Sequence, residues 1–395
     1  MIQQTLAVTA MNLKSIPTRL GTSLVIVIGI AGVVGVMTGL LSMAAGFEST
    51  LASTGRADRV IVLRGGATDE LSSVLSRDQG RIIREMPGIA KDAEGRPLAA
   101  AELYMLTDVT KKSSNSPANV IVRGVPQGVW QVRPEAKILK GRDLQPGRRE
   151  VLVGAAAQSQ FAGLEIGGQV EVRDGPWEVV GVFSTGGNAH ESEIWVDIDT
   201  LHGATPRQGY TNVTARLEDA SPASFRAFKD GLTTDPRLTV QVQSEPDYYA
   251  SRSQALSDFI HGLGYTVAVI MALGAIFGAL NTMYAAVSTR GVEIATLRAL
   301  GFGATPVVIS VLVEALLLAL AGGAVGAILA YVLFNGYSVS TLNFQTFSQT
   351  AFAFRVTPEL LVQGVSWAVS IGMVGGLFPA LRAARQPIVE ALRAG

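Results

Sequence analysis

The sequence predicts a membrane protein that combines an α-helical bundle of four transmembrane helices with an α+β extracytoplasmic domain between helices 1 and 2. Of its 395 residues, 48% are hydrophobic and 16% are charged, whereas soluble domains carry about 25% charged residues. The charges are also spread unevenly, because four long segments contain at most one charged residue each. Residues 48–260, in contrast, have the composition of an ordinary soluble domain.

Each of the four apolar segments is long enough to cross a bilayer, which takes about 20 residues. We expect helices at 22–46, 263–288, 306–335 and 360–381. The first segment exceeds the roughly 7–15 apolar residues of a cleaved signal peptide. We therefore expect it to be an uncleaved anchor that follows a cytoplasmic, amphipathic N-terminal segment at 1–21.

Basic residues are distributed asymmetrically along the predicted loops. Lys14 and Arg19 precede helix 1, and Arg355 is the one basic residue of the predicted external loop 336–358. The loop 289–305 and the tail 382–395 are richer in arginine, with Arg290, Arg298, Arg382, Arg385 and Arg393. Because Lys and Arg favour the cytoplasmic side, we expect a bacterial inner-membrane protein with both termini and the 289–305 loop in the cytoplasm.

The external domain, expected at 47–243, shows both strand and helix patterns, which are typical of an α+β fold. A polar, helix-like stretch at 244–262 is interpreted as a stalk leading into helix 2. The predicted helices are Asp78–Glu85, Ala155–Phe161 and Ser221–Gly231. The predicted strands are Val60–Leu63, Asn119–Gly124, Glu150–Gly154, Gln169–Val172, Trp177–Phe183, Glu193–Val196 and Asn212–Leu217. Gln169–Val172 and Trp177–Phe183 are expected to be joined by a turn at Asp174-Gly175-Pro176.

No catalytic or metal-binding pattern is found in the sequence. Cysteine is absent, and His190, His202 and His261 lack metal-ligand spacing, so we expect them in loops. Asp197 and Asp199 alternate as on a solvated strand face. There is no phosphate-binding Gly-x-x-x-x-Gly-Lys-Ser/Thr motif, so ATP and magnesium would have to be bound by a partner. The balance of 32 basic and 32 acidic residues gives no reason to expect nucleic acid as a partner.

Each predicted membrane helix contains a pair of glycines four residues apart. Such pairs let helix backbones approach closely, which indicates a tightly packed bundle that could extend across a dimer. The pairs are Gly35/Gly39, Gly274/Gly278, Gly322/Gly326 and Gly372/Gly376.

Glu314 is the single charged residue within the third apolar segment. Placing a carboxylate within a membrane helix costs free energy, so this residue is a functional candidate. Its shallow position places it within reach of Arg290 or Arg298, and we expect a structural role in coupling. The alternative is a role as a proton relay.

The loop between helices 2 and 3 carries the most specific pattern in the chain. Arg290 and Glu293 are followed by Ile294, Leu297 and Arg298, and then by Gly301, a helix stop. This segment resembles the motif of FtsX-like permeases, Arg-x-x-Glu-Ile-x-x-Leu-Arg-Ala-Leu-Gly-Ala. The resemblance implies a coupling helix that docks into an ATPase, with Glu293 and Arg298 available to that partner.

A second set of motifs lies in the predicted external domain and at the chain end. Leu139–Leu144, Arg149–Gly154, Gly163–Gly167 and Trp177–Phe183 are similar to the MacB-like periplasmic core domain, and Pro379–Pro387 to the family terminus. The resemblance to MacB/FtsX-type ABC transporter permeases covers nearly the whole chain. Because no ATPase domain precedes helix 1, we expect a split arrangement.

This resemblance implies a set of partners and a class of function. The partners would be a dimeric cytoplasmic ABC ATPase, a second permease copy (a homodimer rather than a heterodimer), a periplasmic adaptor and membrane lipid. The implied function is mechanical coupling of ATP hydrolysis to export from the periplasm. The alternatives are a lipoprotein-releasing complex, a regulator of a cell-wall hydrolase, and a sensor without any ATPase.

Overall fold

The computed structural model describes residues 2–14, 19–173, 175–342 and 348–388. Asp174 of the predicted turn, part of the predicted external loop and the end of the tail lie outside these residues. The chain divides into two compact units. The helical unit comprises Met1–Ala45, Asp258–Tyr337 and Phe354–Gly395, and the α+β unit comprises Gly46–Ser257 and Ser338–Ala353.

Long helices make up the helical unit, and shorter helices occur in the α+β unit. In chain order they are α1 (Ile2–Lys14), α2 (Leu20–Ala52), α3 (Arg77–Arg84), α4 (Val129–Val132), α5 (Ala155–Gln160), α6 (Ile198–Ala204), α7 (Pro222–Thr233), α8 (Glu245–Thr289), α9 (Gly291–Ala299), α10 (Ala304–Phe334) and α11 (Pro358–Arg385).

Within the described residues, α2, α8, α10 and α11 are long and apolar enough to cross a membrane. Their most apolar 18-residue windows have mean hydropathies of 2.6, 2.1, 2.4 and 1.6. The predicted stalk and the second predicted membrane helix are one element, because α8 runs without a break from Glu245 to Thr289.

The core of the helical unit is built mainly from small and branched side chains on α2, α8, α10 and α11, among them Val34, Ala279, Ala319 and Ala368. Glycine permits this packing at specific points. A Cβ added at Gly326 would lie 2.5 Å from the Ala31 carbonyl oxygen, and one at Gly322 would lie 2.8 Å from that of Val27.

The other predicted glycine pairs differ in their surroundings. A Cβ at Gly372 or Gly376 would meet the methyl groups of Ala319 or Ala315, and one at Gly39 would meet the Phe334 ring. Gly35 is less crowded, with its nearest neighbour 3.8 Å away. A Cβ added at Gly274 or Gly278 would have no neighbour within 4 Å among the described residues, so the packing role expected for this pair, which could extend across a dimer, stays a prediction.

The α+β unit contains a mixed sheet with the strand order β10-β1-β9-β2-β3-β8-β5-β7-β4, and β6 also pairs with β7. The β3–β8 and β5–β7 pairs are parallel, and the others are antiparallel. The strands are β1 (Arg59–Arg64), β2 (Ala99–Thr110), β3 (Pro117–Val125), β4 (Lys137–Gly141), β5 (Glu150–Gly154), β6 (Gln169–Val172), β7 (Gly175–Ser184), β8 (Glu193–Asp197), β9 (Asn212–Arg216) and β10 (Val240–Ser244). A separate hairpin pairs β11 (Ser338–Leu342) with β12 (Gln349–Ala353).

Both faces of the large sheet are covered. Along β5, Val151 and Val153 belong to one apolar core and Leu152 to another, as the period of two in a strand requires. This two-sided burial explains why β5 and β8 are buried along their whole length.

Several local predictions need correction. The strands β2, β4 and β10 were not predicted from the sequence. β2 begins with three alanines, which have low strand propensity. The predicted external loop 336–358 contains the β11–β12 hairpin.

The histidines and the aspartates also differ from expectation. His190 lies in a buried 3₁₀ turn, and His202 and His261 lie in α6 and α8. Asp197 is buried and caps α6, accepting a hydrogen bond from the Thr200 amide, while Asp199 belongs to the first turn of that helix. Their alternation in the sequence reflected a strand end followed by a helix start, not a solvated face.

Candidate functional site

The helix α9 ends in a defined C-terminal motif at Gly301. This glycine has φ +97°, a conformation that side-chain-bearing residues rarely adopt. Its amide donates to the Arg298 carbonyl oxygen, and the Phe302 amide donates to that of Leu297. These two bonds form a Schellman motif, which satisfies the last carbonyls of the helix.

The helix buries one face and exposes the other. Ile294 and Ala295 are buried, and Leu297 is half-buried. Glu293 and Thr296 are exposed. We call the exposed side the α9 outer face and define it by Val292, Glu293, Thr296, Ala299 and Leu300.

Arg298 caps the end of α11, a structural role that was not predicted from the sequence. Its Nη1 donates to the carbonyl oxygens of Ala384 (2.9 Å) and Gln386 (3.0 Å) at the end of α11. A cation at this position satisfies terminal carbonyls and opposes the helix dipole. The availability of Arg298 to a partner stays a prediction; its Nη1 already caps α11, and its side chain is half-buried.

Arg290 and Glu314 form a buried ion pair. The distance from Nη1 of Arg290 to Oε2 of Glu314 is 3.0 Å, and both side chains are about 5% exposed. Of the two arginines expected within reach of Glu314, the structure pairs it with the one that immediately precedes α9. Because an unpaired charge here would be costly, the pair fixes the start of α9 against α10.

The N-terminal helix packs beside this ion pair. Val8 and Asn12 line the same small cavity as Arg290 and Glu314. The side-chain amide of Asn12 donates to the Ser310 hydroxyl on α10. The N-terminal segment, expected only to be amphipathic, thus contacts the helix that carries Glu314.

A second group of charged residues lies inside the α+β unit and was not predicted. We call it the buried ionic cluster. Its seven members are each no more than 3% exposed: Arg59, Glu70, Glu102, Arg123, Arg133, Glu193 and Glu245.

Arg123 and Arg133 connect the cluster across several strands. Arg123 contacts Glu70 at 2.6 Å, Glu102 at 2.7 Å and Glu193 at 2.7 Å. Arg133 contacts Glu102 at 3.1 Å and Glu245 at 3.0 Å. Each carboxylate of the buried ionic cluster is therefore balanced by a guanidinium, which is the condition for tolerating buried charge.

Glu245 joins this cluster to the first turn of α8. Its carboxylate contacts Nε of Arg59 at 2.5 Å and accepts the Arg56 amide at 3.0 Å. Together with Arg133, these contacts fix the start of α8 within the α+β unit.

Burial by itself raises the pKa of Glu102, but the charges of Arg133 and Arg123 outweigh it and lower this pKa to about 2. Burial likewise opposes ionisation of Glu193, but the charge of Arg123 nevertheless holds its pKa well below the usual range. Both carboxyls are therefore ionised at neutral pH.

His190 lies against the cluster with a defined tautomer. Nη1 of Arg133 lies 2.9 Å from Nε2 of His190, and Nδ1 lies 3.1 Å from Oε1 of Glu193. Because a guanidinium can only donate, Nε2 is the acceptor and Nδ1 carries the hydrogen. Within the described ranges no three His, Cys, Asp or Glu side chains are placed to hold a metal ion.

These features define a class of protein: a membrane protein with four candidate spanning helices and a large α+β domain inserted after the first of them. A model of the MacB-like periplasmic core domain matches residues 20–232, and a model of the FtsX-like permease C-terminal domain matches residues 265–388. The chain belongs to the MacB/FtsX-like family of ABC transporter permeases. The predicted family and fold class are thereby confirmed.

Named relatives are about 25% identical to this chain over the aligned residues. The macrolide export ATP-binding/permease protein MacB of Shewanella oneidensis is 25% identical over 84% of this chain and 55% of its own length. That of Vibrio parahaemolyticus is 25% identical over 98% of this chain and 58% of its own length. The chain thus spans a little over half the length of these relatives.

One solved structure similar to part of this chain is the periplasmic region of MacB from Actinobacillus actinomycetemcomitans. It is 13% identical, with a TM-score of 0.36, and the match covers 50% of this chain and 93% of that one.

Proposed function

We propose that this chain is the permease subunit of an ABC transporter in which a separate cytoplasmic ATPase drives movements of the α+β unit. In this proposal α9 is the coupling helix, the α+β unit lies outside the inner membrane, and both termini are cytoplasmic. The chain itself is not an enzyme, and it works as a homodimer with a periplasmic adaptor in export from the periplasm.

The α9 outer face is the observation that carries this proposal. Val292 is 43% exposed and Leu300 is 73% exposed, on a helix whose opposite side is buried. Exposed apolar side chains around an acidic one, at helical spacing, suit docking of the helix into a groove of a partner. The basic residues near α9 support a cytoplasmic location for that groove.

The anchoring of both ends of α9 supports force transmission. Arg290 ties the start of the helix to Glu314 on α10 at 3.0 Å. Arg298 ties its end to the last carbonyls of α11. A push on the outer face would therefore reach two membrane helices through ionic and charge-assisted contacts, which are stronger than ordinary hydrogen bonds.

The test is co-purification of the tagged full chain with its candidate ATPase, comparing the wild type with Glu293→Arg. We expect the variant to retain about tenfold less ATPase, a loss of about 1.4 kcal/mol, because the reversed charge lies on the α9 outer face. Glu171→Arg, a reversal at an exposed position of β6, serves as the matched control and should retain the wild-type amount. Equal retention by Glu293→Arg and the wild type, or no ATPase with either, would contradict the proposal.

A further inference from the structure

A cavity of about 230 Å³ lies in the α+β unit at the carboxyl ends of β3 and β8. These strands are parallel neighbours, so the chain leaves both of them at the same edge of the sheet. Val129 and Trp130 of α4 and Leu152 of β5 contribute apolar walls. The exposed side chains of Gln127 and Asp143 lie at its mouth.

Two tryptophans line this cavity. Trp195 is completely buried and stacks on Phe183 with a centroid distance of 4.2 Å. Its Nε1 donates to Oε2 of Glu193 at 2.9 Å, so its polar atom is already used. Trp130 lies 5.8 Å from Trp195 between ring centroids, and its Nε1 donates to Oδ2 of Asp143 at 2.8 Å. Neither indole therefore offers the cavity a free donor, and the half-buried Trp130 is the ring with accessible surface for a ligand.

Two carboxylates complete the lining, and both are held by neutral donors. Asp197 accepts from the amide and hydroxyl of Thr200 at 2.9 and 2.6 Å. Asp143 accepts from the Leu144 amide and from the indole of Trp130, both at 2.8 Å. Neither carboxylate has a salt bridge with another described residue, and the lining contains no Lys, Arg or His.

The neighbouring arginine is already neutralised. Arg142 contacts Glu150 through both of its terminal nitrogens, at 2.8 and 2.7 Å. Its contact with Asp143 is to the main-chain oxygen, at 3.0 Å. The charge of the two aspartates thus remains uncompensated beside an aromatic surface.

We propose that this cavity binds a small organic cation, an ammonium group with apolar substituents. Tryptophan faces attract such cations most strongly among the aromatic side chains, and the two carboxylates supply the opposite charge. The volume is below the roughly 300–1,000 Å³ of sites for drug-sized ligands, so the ligand is compact or inserts only its ammonium end. This assignment goes beyond the proposed transport function and does not depend on it.

The experiment is titration of the purified full chain in detergent with benzyltrimethylammonium, followed by calorimetry and tryptophan fluorescence. We expect saturable binding, with no comparable binding of neutral benzyl alcohol or anionic benzoate at the same ionic strength. Asp143→Asn should weaken binding of the cation about tenfold, about 1.4 kcal/mol, because it removes a charge while keeping an acceptor for Trp130.

Two further variants keep the test decisive. Asp197→Asn should weaken binding of the cation similarly. If this buried substitution impairs folding, Asp143→Asn, at an exposed position, still tests the proposal. Asp199→Asn, an exposed neighbour that does not line the cavity, should bind like the wild type. The assignment would be overturned if benzyltrimethylammonium binds no better than benzyl alcohol. It would also be overturned if the folded Asp143→Asn variant binds the cation as the wild type does.

Discussion

The seven charged side chains of the buried ionic cluster are each no more than 3% exposed, and each contacts an opposite charge. Desolvating an ion costs several kcal/mol even after relaxation, and only close, hydrogen-bonded pairing offsets that cost. The distances of 2.5–3.1 Å within the cluster satisfy this condition. Removal of one member would therefore leave another charge buried without compensation.

Acid stability should depend on Glu102. Its pKa is about 2 in the folded protein and 4.5 ordinarily, so the folded state binds this proton less readily than the unfolded state. The stabilisation is therefore fully present above about pH 4.5 and is lost as the pH falls toward about 2. Glu102→Gln should lower the free energy of unfolding at neutral pH by about 3–5 kcal/mol and flatten this acid dependence.

The measurement is unfolding of the α+β unit in the full chain, followed by fluorescence of its buried tryptophans between neutral and acidic pH. Glu94→Gln, at a side chain 65% exposed, is the control and should behave like the wild type. An unchanged acid dependence in Glu102→Gln would argue against the role assigned to Arg133 and Arg123.

The Arg290–Glu314 pair should show strong energetic coupling. Arg290→Leu and Glu314→Leu should each destabilise the protein by about 3–5 kcal/mol, because each leaves one buried charge alone. The double variant should be less destabilised than either single variant, since no charge remains unpaired. Thermal unfolding of the detergent-purified variants measures this, and additive losses would show that the two residues act independently.

At the scale of elements, helix packing depends on a few positions where backbones meet. Gly326 lies against the Ala31 carbonyl of α2, whereas Gly278 on α8 has no neighbour within 4 Å. The same Gly-x-x-x-Gly spacing in the sequence thus has two different surroundings in the fold. The α9 helix likewise depends on its neighbours in the fold. Arg298 caps α11 through contacts that its position in the sequence does not predict.

Substitution of Gly326 and of Gly278 by alanine should have different effects on stability. Gly326→Ala should destabilise the protein by about 1–3 kcal/mol, because the added methyl group overpacks the α2–α10 contact. Gly278→Ala should leave stability unchanged or raise it by up to about 1 kcal/mol, since alanine favours the helix more than glycine does. Thermal unfolding in detergent compares them, and equal effects of the two substitutions would refute the assignment of Gly326 to the contact.

At the scale of the whole molecule, the chain contains two separately packed units whose compositions differ because their surroundings differ. The helical unit leaves large apolar side chains exposed, including Ile270, Phe277 and Val332 at 65%, 69% and 71%. Such exposure suits lipid or another membrane helix rather than water. The α+β unit instead covers both faces of its sheet with apolar cores.

The sequence by itself determined the four apolar helices, the α+β class of the inserted domain, the family, and the end of α9 at Gly301. These features follow from local properties: apolar length, strand alternation and the conformational freedom of glycine. Strands such as β2 were not predicted from the sequence, because alanine-rich segments owe their strand conformation to their neighbours in the sheet.

Only the tertiary structure decided which charges meet. Arg123 on β3 contacts Glu70, Glu102 and Glu193, which lie 53, 21 and 70 residues away along the chain. An arginine within an apolar strand predicts that some carboxylate must accompany it into the core. Which carboxylate does so depends on strand order and register, and these are set by packing over the whole sheet rather than by any local pattern.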